Sequence, residues 1–218
     1  MLRFLADTGM PIFSHPGRIK GVLDRLSCTV TLRAAGIPMP PTVVTESVEL
    51  ALHTLDRFGE SVLKPLFSTK ARGMTVVQAG DGAREVLLRY REQGNTLFYI
   101  QKRIKLPGRD LGLVFLGGKF VGCYARVADA SSWNTTIHSG GRYATWEPSD
   151  ELIELARRAQ APFELDFTCV DVAESEAGPV VFEVSAFGGF RGLWESARLD
   201  AAGMFAEYVL KRLTHGSE

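Results

Sequence analysis

Two acidic residues near the C-terminal end of the chain are spaced so that a β-hairpin would bring them together. Asp171 and Glu183 each stand among strand-forming apolar residues, and a turn near Ala177 would place them opposite each other. Ser185 would share the face of Glu183, because side chains alternate between the two faces of a strand. Two carboxylates and a hydroxyl suit a hard cation such as magnesium or manganese better than zinc. The open alternative is a pair of acids exposed to solvent on one face of the hairpin.

A lysine lies in an apolar segment that reads as a strand. Lys64 is flanked by valine, leucine and proline, and a buried ammonium without a partner is costly. The loop that follows adds further donors for phosphate oxygens, namely Ser68, Thr69, Lys70 and Arg72. The alternative is a lysine that snorkels from an edge strand beside a solvated basic turn. Cations for phosphates and acids for a divalent metal together indicate a bound nucleotide.

Composition limits the classes of protein to which the chain can belong. It has 218 residues, and 25 basic residues balance 25 acidic ones without any run of like charge. We therefore expect no nucleic-acid partner and no electrostatic membrane anchor. No apolar stretch approaches the roughly 20 residues that cross a bilayer, and no signal-peptide core is present, so we expect a cytoplasmic protein. The cysteines lack C-x-x-C spacing and are predicted to be buried, reduced thiols: Cys28, Cys123 and Cys169.

The secondary-structure pattern mixes helices with antiparallel hairpins. Periodicity and turn signals predict helices over residues 19–35, 47–57, 82–92, 148–161 and 199–213, and strands over residues 61–66, 74–79, 96–104, 113–116 and 119–127 besides the acidic hairpin. The first helix is predicted to carry Val22, Leu26, Val30 and Ala34 on one stripe. Neither common glycine-rich nucleotide fingerprint is present, and the order of elements favours an α+β fold over a Rossmann sheet.

An ordered set of short motifs resembles the ATP-grasp ligases of the RimK type. The set comprises Val-Leu-Lys64-Pro-Leu-Phe, Tyr99-Ile-Gln101-Lys102, Gly108-Arg-Asp110, Arg126, Ile137-His-Ser-Gly140-Gly141, Asp171 and Phe182-Glu183-Val-Ser185. The resemblance implies an α+β ATP-grasp fold, in which ATP lies between the antiparallel sheets of two subdomains. It places the ATP-grasp domain at residues 21–218, with an N-terminal subdomain over about 21–100 and a C-terminal subdomain over 101–218.

The family normally has a further lobe before this domain. Residues 1–20 would be its remnant. We expect that the lobe is encoded upstream of Met1 or that its surface is supplied by a second chain, and we expect a homo-oligomer.

The resemblance also implies a nucleotide site. The positions of Lys64 and Arg25 would hold phosphates, and the strand that contains Gln101 and Lys102 would present backbone groups to adenine. Asp110 would complete the nucleotide site together with three residues of a polar loop: Asn134, Thr135 and Thr136.

The remaining implied roles concern the metal and the reaction. Magnesium or manganese would be carried by Asp171, Glu183 and Ser185. Arg126 would face the transferred phosphate and the tetrahedral intermediate. Arg191 is our candidate for a substrate carboxylate, because a planar guanidinium can pair with it through two hydrogen bonds. The alternative for Arg191 is a surface arginine after a glycine turn.

From this resemblance we expect a ligase that uses ATP and magnesium to join a carboxylate to an amine through an acylphosphate. Its substrates would be glutamate or a similar amino acid and a carboxylate on a cofactor precursor or a peptide. The chain departs from the family pattern at Gly112, where arginine is usual, and at Ser185, where asparagine is usual. An alternative is therefore a degenerate module that binds ATP without catalysis and serves as a regulatory or partner subunit.

Overall fold

The computed structural model of the protein describes residues 1–129, 135, 137 and 140–215. Its described helices are α1 (Leu2–Asp7), α2 (Pro16–Leu23), α3 (Arg25–Ala34), α4 (Val48–Phe58), α5 (Ala83–Glu92), α6 (Asp150–Gln160), α7 (Phe190–Ala197) and α8 (Ala201–His215). Its strands are β1 (Thr42–Thr45), β2 (Ser61–Leu63), β3 (Thr75–Val77), β4 (Phe98–Lys102), β5 (Arg109–Leu116), β6 (Lys119–Val127), β7 (Arg142–Thr145), β8 (Phe167–Ser175) and β9 (Gly178–Ser185).

The chain divides into two units, each with its own antiparallel sheet. One unit is Met39–Lys105, and the other joins Met1–Pro38 to the described residues from Leu106 onward. Helices and antiparallel sheets in both units confirm the predicted α+β class. The boundaries predicted for the subdomains remain a prediction.

The sheet of the Met39–Lys105 unit has the strand order β1-β4-β2-β3. One face packs against α4 and α5 through a core of fully buried apolar residues that includes Leu55, Leu63, Leu87 and Phe98. Helix α4 begins where the hydroxyl of Ser47 accepts a hydrogen bond from a backbone N–H one turn ahead. Because side chains alternate along a strand, Gln101 of β4 lies on the opposite face from Phe98 and Ile100, which belong to the core shared with α4 and α5.

The sheet of the other unit has the strand order β7-β6-β5-β8-β9. Strands β5 and β6 form a tight hairpin at Gly117 and Gly118, both of which have positive φ, as predicted. Helices α7 and α8 contribute Leu193 and Ala201 to a core that also contains Tyr124 of β6. Helix α6 contacts β8 and neighbouring strands.

The predicted single helix over residues 19–35 is wrong. It is two helices, α2 and α3, because Asp24 leaves the helical conformation and its carboxylate accepts a hydrogen bond from Leu26 N at 3.1 Å, which starts α3. The stripe of Val22, Leu26, Val30 and Ala34 is not the buried face, since Val30 is 57% exposed. The buried residues of α3 are instead Arg25, Cys28, Thr29 and Leu32.

Most other predicted elements are present with shifted ends. The predicted strand over 61–66 ends at Leu63, because proline follows Lys64 and cannot donate to a strand ladder. The helices α1 and α7 and the short strands β1 and β7 were not predicted. Among the described residues, no helix combines the length and the apolar character that a membrane crossing requires.

Candidate functional site

The acidic hairpin brings its two carboxylates together as predicted. Asp171 in β8 lies directly opposite Glu183 in β9, and Ser185 lies opposite Cys169. Ser185 therefore shares the face of Glu183. The register shifts by one residue between Asp171 and Val172, so β9 carries an extra residue there. This β-bulge is what places Glu183 opposite Asp171.

Arg126 connects the carboxylates of two other strands. Its Nε donates to Asp110 Oδ1 at 3.1 Å, and Nη2 forms a second, shorter hydrogen bond with Asp110 Oδ2. The same Nη2 lies 2.9 Å from Asp171 Oδ2. Asp110 and Arg126 are cross-strand partners in β5 and β6, and Asp171 lies in the next strand, β8. The sheet thus holds one guanidinium between two buried or largely buried carboxylates.

Glu183 has its own cationic partner. Arg25 Nη1 lies 3.0 Å from Glu183 Oε2, and the arginine side chain is 8% exposed whereas the glutamate side chain is 42% exposed. Arg25 is the first residue of α3, which contacts β9. The predicted phosphate cation, which is buried, therefore lies beside a predicted metal ligand that is partly exposed.

Burial and neighbouring charges have opposing effects on the pKa values of this cluster. The pKa of Asp171 is raised to about 7, chiefly by burial, with Arg126 lowering it and the neighbouring Glu183 and Asp110 adding to the rise. Burial alone would lower the pKa of Arg126, but the attraction of Asp110 and Asp171 outweighs it and raises that pKa well above its usual value. The guanidinium thus stays charged, and a further cation beside Asp171 would favour its ionised form.

The donor chemistry at the hairpin fits magnesium. Magnesium binds through one or two carboxylates together with water and substrate phosphate oxygens, and Asp171, Glu183 and Ser185 supply oxygen donors only. Within the described ranges, no cluster of three or more His, Cys, Asp and Glu side chains could hold a metal by itself. The three residues would therefore hold a metal that the nucleotide also binds. Their role as ligands remains a prediction.

Arg191 lies in α7, just beyond the end of β9. The turn that leads to it contains Gly189, whose φ of +104° favours glycine and where an added Cβ would lie 2.5 Å from Val114 Cγ2. Arg191 Nε donates to Glu195 Oε1 at 2.5 Å, and its guanidinium lies over the ring of Tyr143, 5.9 Å from the centroid. The side chain is 67% exposed, so it is accessible to a ligand. Its role as a carboxylate partner remains a prediction.

The polar loop is described only in part. Thr135 is 8% exposed. Asn134 and Thr136, which were predicted to contact the nucleotide, lie outside the described residues.

The predicted phosphate lysine and adenine strand belong to the Met39–Lys105 unit. Lys64 is partly buried, and its Nζ donates to Gln101 Oε1 at 2.5 Å. Gln101 is 2% exposed, and its Nε2 donates to Thr42 Oγ1 at 3.1 Å. Lys102 is exposed, and its backbone N–H donates to Pro41 O at 2.8 Å. The side chain of Gln101 is therefore a hydrogen-bond partner of the kind that an ammonium in apolar surroundings needs.

One feature of the site was missed in the sequence. The ring of Tyr124 packs over two glycines: a Cβ added at Gly112 would lie 2.4 Å from Tyr124 Cζ, and one added at Gly192 would lie 2.5 Å from the same atom. The Tyr124 hydroxyl is 3.4 Å from Cys169 Sγ. At Gly112, where the resemblance predicted an arginine, the ring of Tyr124 occupies the space that a side chain would need. Only the missing arginine signalled this in the sequence.

Comparisons with known proteins show to which family the chain is similar. A family model described as a RimK-like ATP-grasp domain matches residues 22–209. The tetrahydromethanopterin:alpha-L-glutamate ligase of Methanosarcina acetivorans is 27% identical over 236 residues, covering 96% of this chain and 73% of that protein. The crystal structure of a RimK domain ATP-grasp protein from Sphaerobacter thermophilus is 26% identical with a TM-score of 0.73, covering 93% of this chain and 73% of that one.

A third similarity concerns the fold alone. The ATP-grasp ligase PsnB, solved with a phosphomimetic variant of its minimal precursor, magnesium and ADP, has a TM-score of 0.76 at 19% identity. The match covers 97% of this chain and 65% of PsnB, so the chain spans slightly less than two thirds of that protein. The predictions of the fold and of the enzyme class, an ATP-dependent ligase that forms C–N bonds, are confirmed. With most of its length matched by the family model, this chain belongs to the RimK-like ATP-grasp family.

Proposed function

We propose that the protein is an ATP- and magnesium-dependent carboxylate–amine ligase that adds an amino acid, glutamate, to a carboxylate on a small cofactor precursor or a peptide. The observation that carries the proposal is the carboxylate pair of Asp171 and Glu183 on one hairpin, with Arg126 beside Asp171 and Arg25 beside Glu183. Such a cluster of paired opposite charges is suited to binding a metal with its phosphate ligands. The family match supports the nucleotide as that ligand.

The reaction proceeds in two steps. A carboxylate oxygen of the acceptor attacks the γ-phosphorus of ATP, the bond from that phosphorus to the bridging oxygen breaks, and ADP leaves with an acylphosphate formed. The amine nitrogen then attacks the acyl carbon, the bond from that carbon to the phosphate oxygen breaks, and phosphate and a proton are released as the amide forms. Both steps depend on positioning and charge stabilisation rather than on a side-chain nucleophile.

Residues of this chain would act mainly through their charge. Lys64 would donate to phosphate oxygens, and Arg126 would stabilise the negative charge that develops on the transferred phosphoryl group. Asp110 would orient Arg126 through its two hydrogen bonds. Asp171, Glu183 and Ser185 would hold magnesium, which when bound offsets charge on the β and γ oxygens.

Glutamate as the amino acid rests on the relatives. The Methanosarcina acetivorans protein is named a tetrahydromethanopterin:alpha-L-glutamate ligase. Arg191 is exposed and close to the end of β9, and we propose that it pairs with a carboxylate of the incoming amino acid. The comparisons give no support to the alternative of a degenerate, non-catalytic module.

The test is ADP formation by the purified protein with ATP, magnesium, glutamate and a panel of acceptor carboxylates. The proposal expects ADP release that requires both glutamate and an acceptor. Lys64→Ala should abolish the ATP-induced rise in melting temperature, whereas Lys119→Ala, which removes an exposed lysine at the start of β6, should preserve it. Unchanged ATP stabilisation in Lys64→Ala would contradict the proposed nucleotide site.

A further inference from the structure

We propose that Thr42 is a positioning residue for nucleotide binding, because it fixes the side-chain amide of Gln101 and through it the ammonium of Lys64. This inference rests on the proposed function, in which Lys64 binds phosphate. Thr42 acts only through Gln101 and takes no direct part in the reaction.

The three residues form one chain of hydrogen bonds across the sheet. Thr42 in β1 and Gln101 in β4 are direct cross-strand partners, and Gln101 also lies opposite Val62 in β2. Lys64 follows two residues after Val62, so its side chain projects to the same face. Gln101 is 2% exposed and Thr42 is 7% exposed, so both polar groups need partners within the protein.

The hydrogen bond between Thr42 and Pro40 decides which atom donates in each of the other hydrogen bonds. The Thr42 hydroxyl donates to Pro40 O at 2.8 Å, and a carbonyl oxygen can only accept. With its proton committed there, Thr42 Oγ1 accepts from Gln101 Nε2 at 3.1 Å. The amide oxygen Oε1 must then point the other way, where it accepts from Lys64 Nζ at 2.5 Å. A flipped amide would instead turn its NH2 donors towards an ammonium, which also only donates.

The chemistry of the acceptor has a functional consequence. An amide oxygen holds the ammonium by a hydrogen bond without cancelling its charge, whereas a carboxylate in the same place would neutralise it. The contact with Gln101 therefore positions Lys64 without removing the positive charge that attracts phosphate. Thr42 protects this arrangement by making the other orientation of the amide unfavourable.

Three threonine variants separate positioning from stability. Thr42→Val removes the hydroxyl at nearly constant volume, Thr42→Ser restores it, and Thr54→Val is the matched control. Thr54 is 1% exposed in α4 of the same unit, and its hydroxyl donates to Leu50 O at 2.7 Å. It takes no part in the hydrogen bonds that join Thr42, Gln101 and Lys64. Each variant is compared with the unaltered protein in two assays.

The first assay measures ATP binding by calorimetry and the KM for ATP. Thr42→Val should raise the dissociation constant and the KM for ATP by about fivefold, which corresponds to the loss of one hydrogen bond, and should leave the KM for glutamate unchanged. Thr42→Ser should stay near the unaltered protein, and so should Thr54→Val. The second assay measures how fast limiting acetic anhydride acetylates Lys64, with the exposed Lys119 as internal reference. We expect Lys64 to react several-fold faster in Thr42→Val only.

The outcomes distinguish this inference from the proposed function. If the unaltered protein binds no ATP, the proposed function fails, and the acetylation ratio alone decides whether Thr42 positions Lys64. If ATP binds but Thr42→Val behaves like Thr54→Val in both assays, the positioning role of Thr42 is refuted. Failure of Thr42→Ser to restore the acetylation rate would refute that role as well.

Discussion

Replacing Arg126 by methionine should destabilise the protein far more than removing an exposed arginine. The side chains of Arg126, Asp110 and Asp171 are 19%, 7% and 15% exposed. Methionine fills much of the same volume but leaves the two carboxylates close together without a cation. The loss is therefore the cost of unpaired buried charge rather than of a cavity.

The size of the effect follows from this burial. Removing one partner from a buried ion pair costs about 3–5 kcal/mol, because the remaining charge is uncompensated. For a chain of this length, about 1 kcal/mol corresponds to about 2–4 °C, so the melting temperature should fall by about 6–20 °C. Urea denaturation should give the same loss in the free energy of unfolding, with an unchanged slope.

Two further variants show whether charge is the cause. Arg157→Met removes an exposed pair with Glu154, whose side chains are 51% and 52% exposed, and should cost less than about 1 kcal/mol. Adding Asp110→Leu to Arg126→Met should recover about 1–2 kcal/mol by removing one unpaired carboxylate. The reasoning is refuted if Arg126→Met costs no more than Arg157→Met, or if the double variant is less stable than the single one.

Other predictions concern packing, metal binding and thiol reactivity. Gly112→Arg should lower the free energy of unfolding by about 1–3 kcal/mol or more, since its Cβ would overlap the ring of Tyr124. Gly82→Ala, at an open position, should change the free energy of unfolding little, and equal melting temperatures of the two variants would contradict this packing. Asp171→Asn should weaken magnesium binding to the nucleotide complex at least about tenfold in calorimetry, and an unchanged magnesium dependence would remove it from the site. Burial raises the pKa of Cys28 to about 11, so it should not react with Ellman's reagent at pH 8 until urea unfolds the protein; rapid reaction of the native protein would show that this thiol is accessible.

The carboxylate pair could be predicted from the sequence, although the way it forms could not. Alternation along a hairpin points Asp171 and Glu183 towards each other. The turn pairs Ser175 with Gly178, and a regular ladder from there would place Phe182 opposite Asp171. One extra residue in β9 corrects this register, and no sequence period reveals such a bulge.

The ion-pair partners of Arg126 and Arg25 could not be predicted from the sequence. Arg126 contacts Asp110 and Asp171 because β5 lies between β6 and β8, and pairing of strands so distant in the chain depends on the whole sheet. The break at Asp24 did have a signal, since aspartate is a preferred N-cap residue, but the continuous apolar pattern outweighed it. Arg25 consequently lies on the buried face of α3, beside Glu183.

A crystal structure of the protein with ADP and magnesium tests the central claim most directly. The account predicts a metal ion at about 2.0–2.1 Å from oxygens of Asp171 and Glu183, and the Lys64 ammonium within hydrogen-bonding distance of a phosphate oxygen of the same nucleotide. Clear density for ADP elsewhere, or ADP bound with neither Lys64 nor the carboxylate pair in contact with it or its metal, would contradict it.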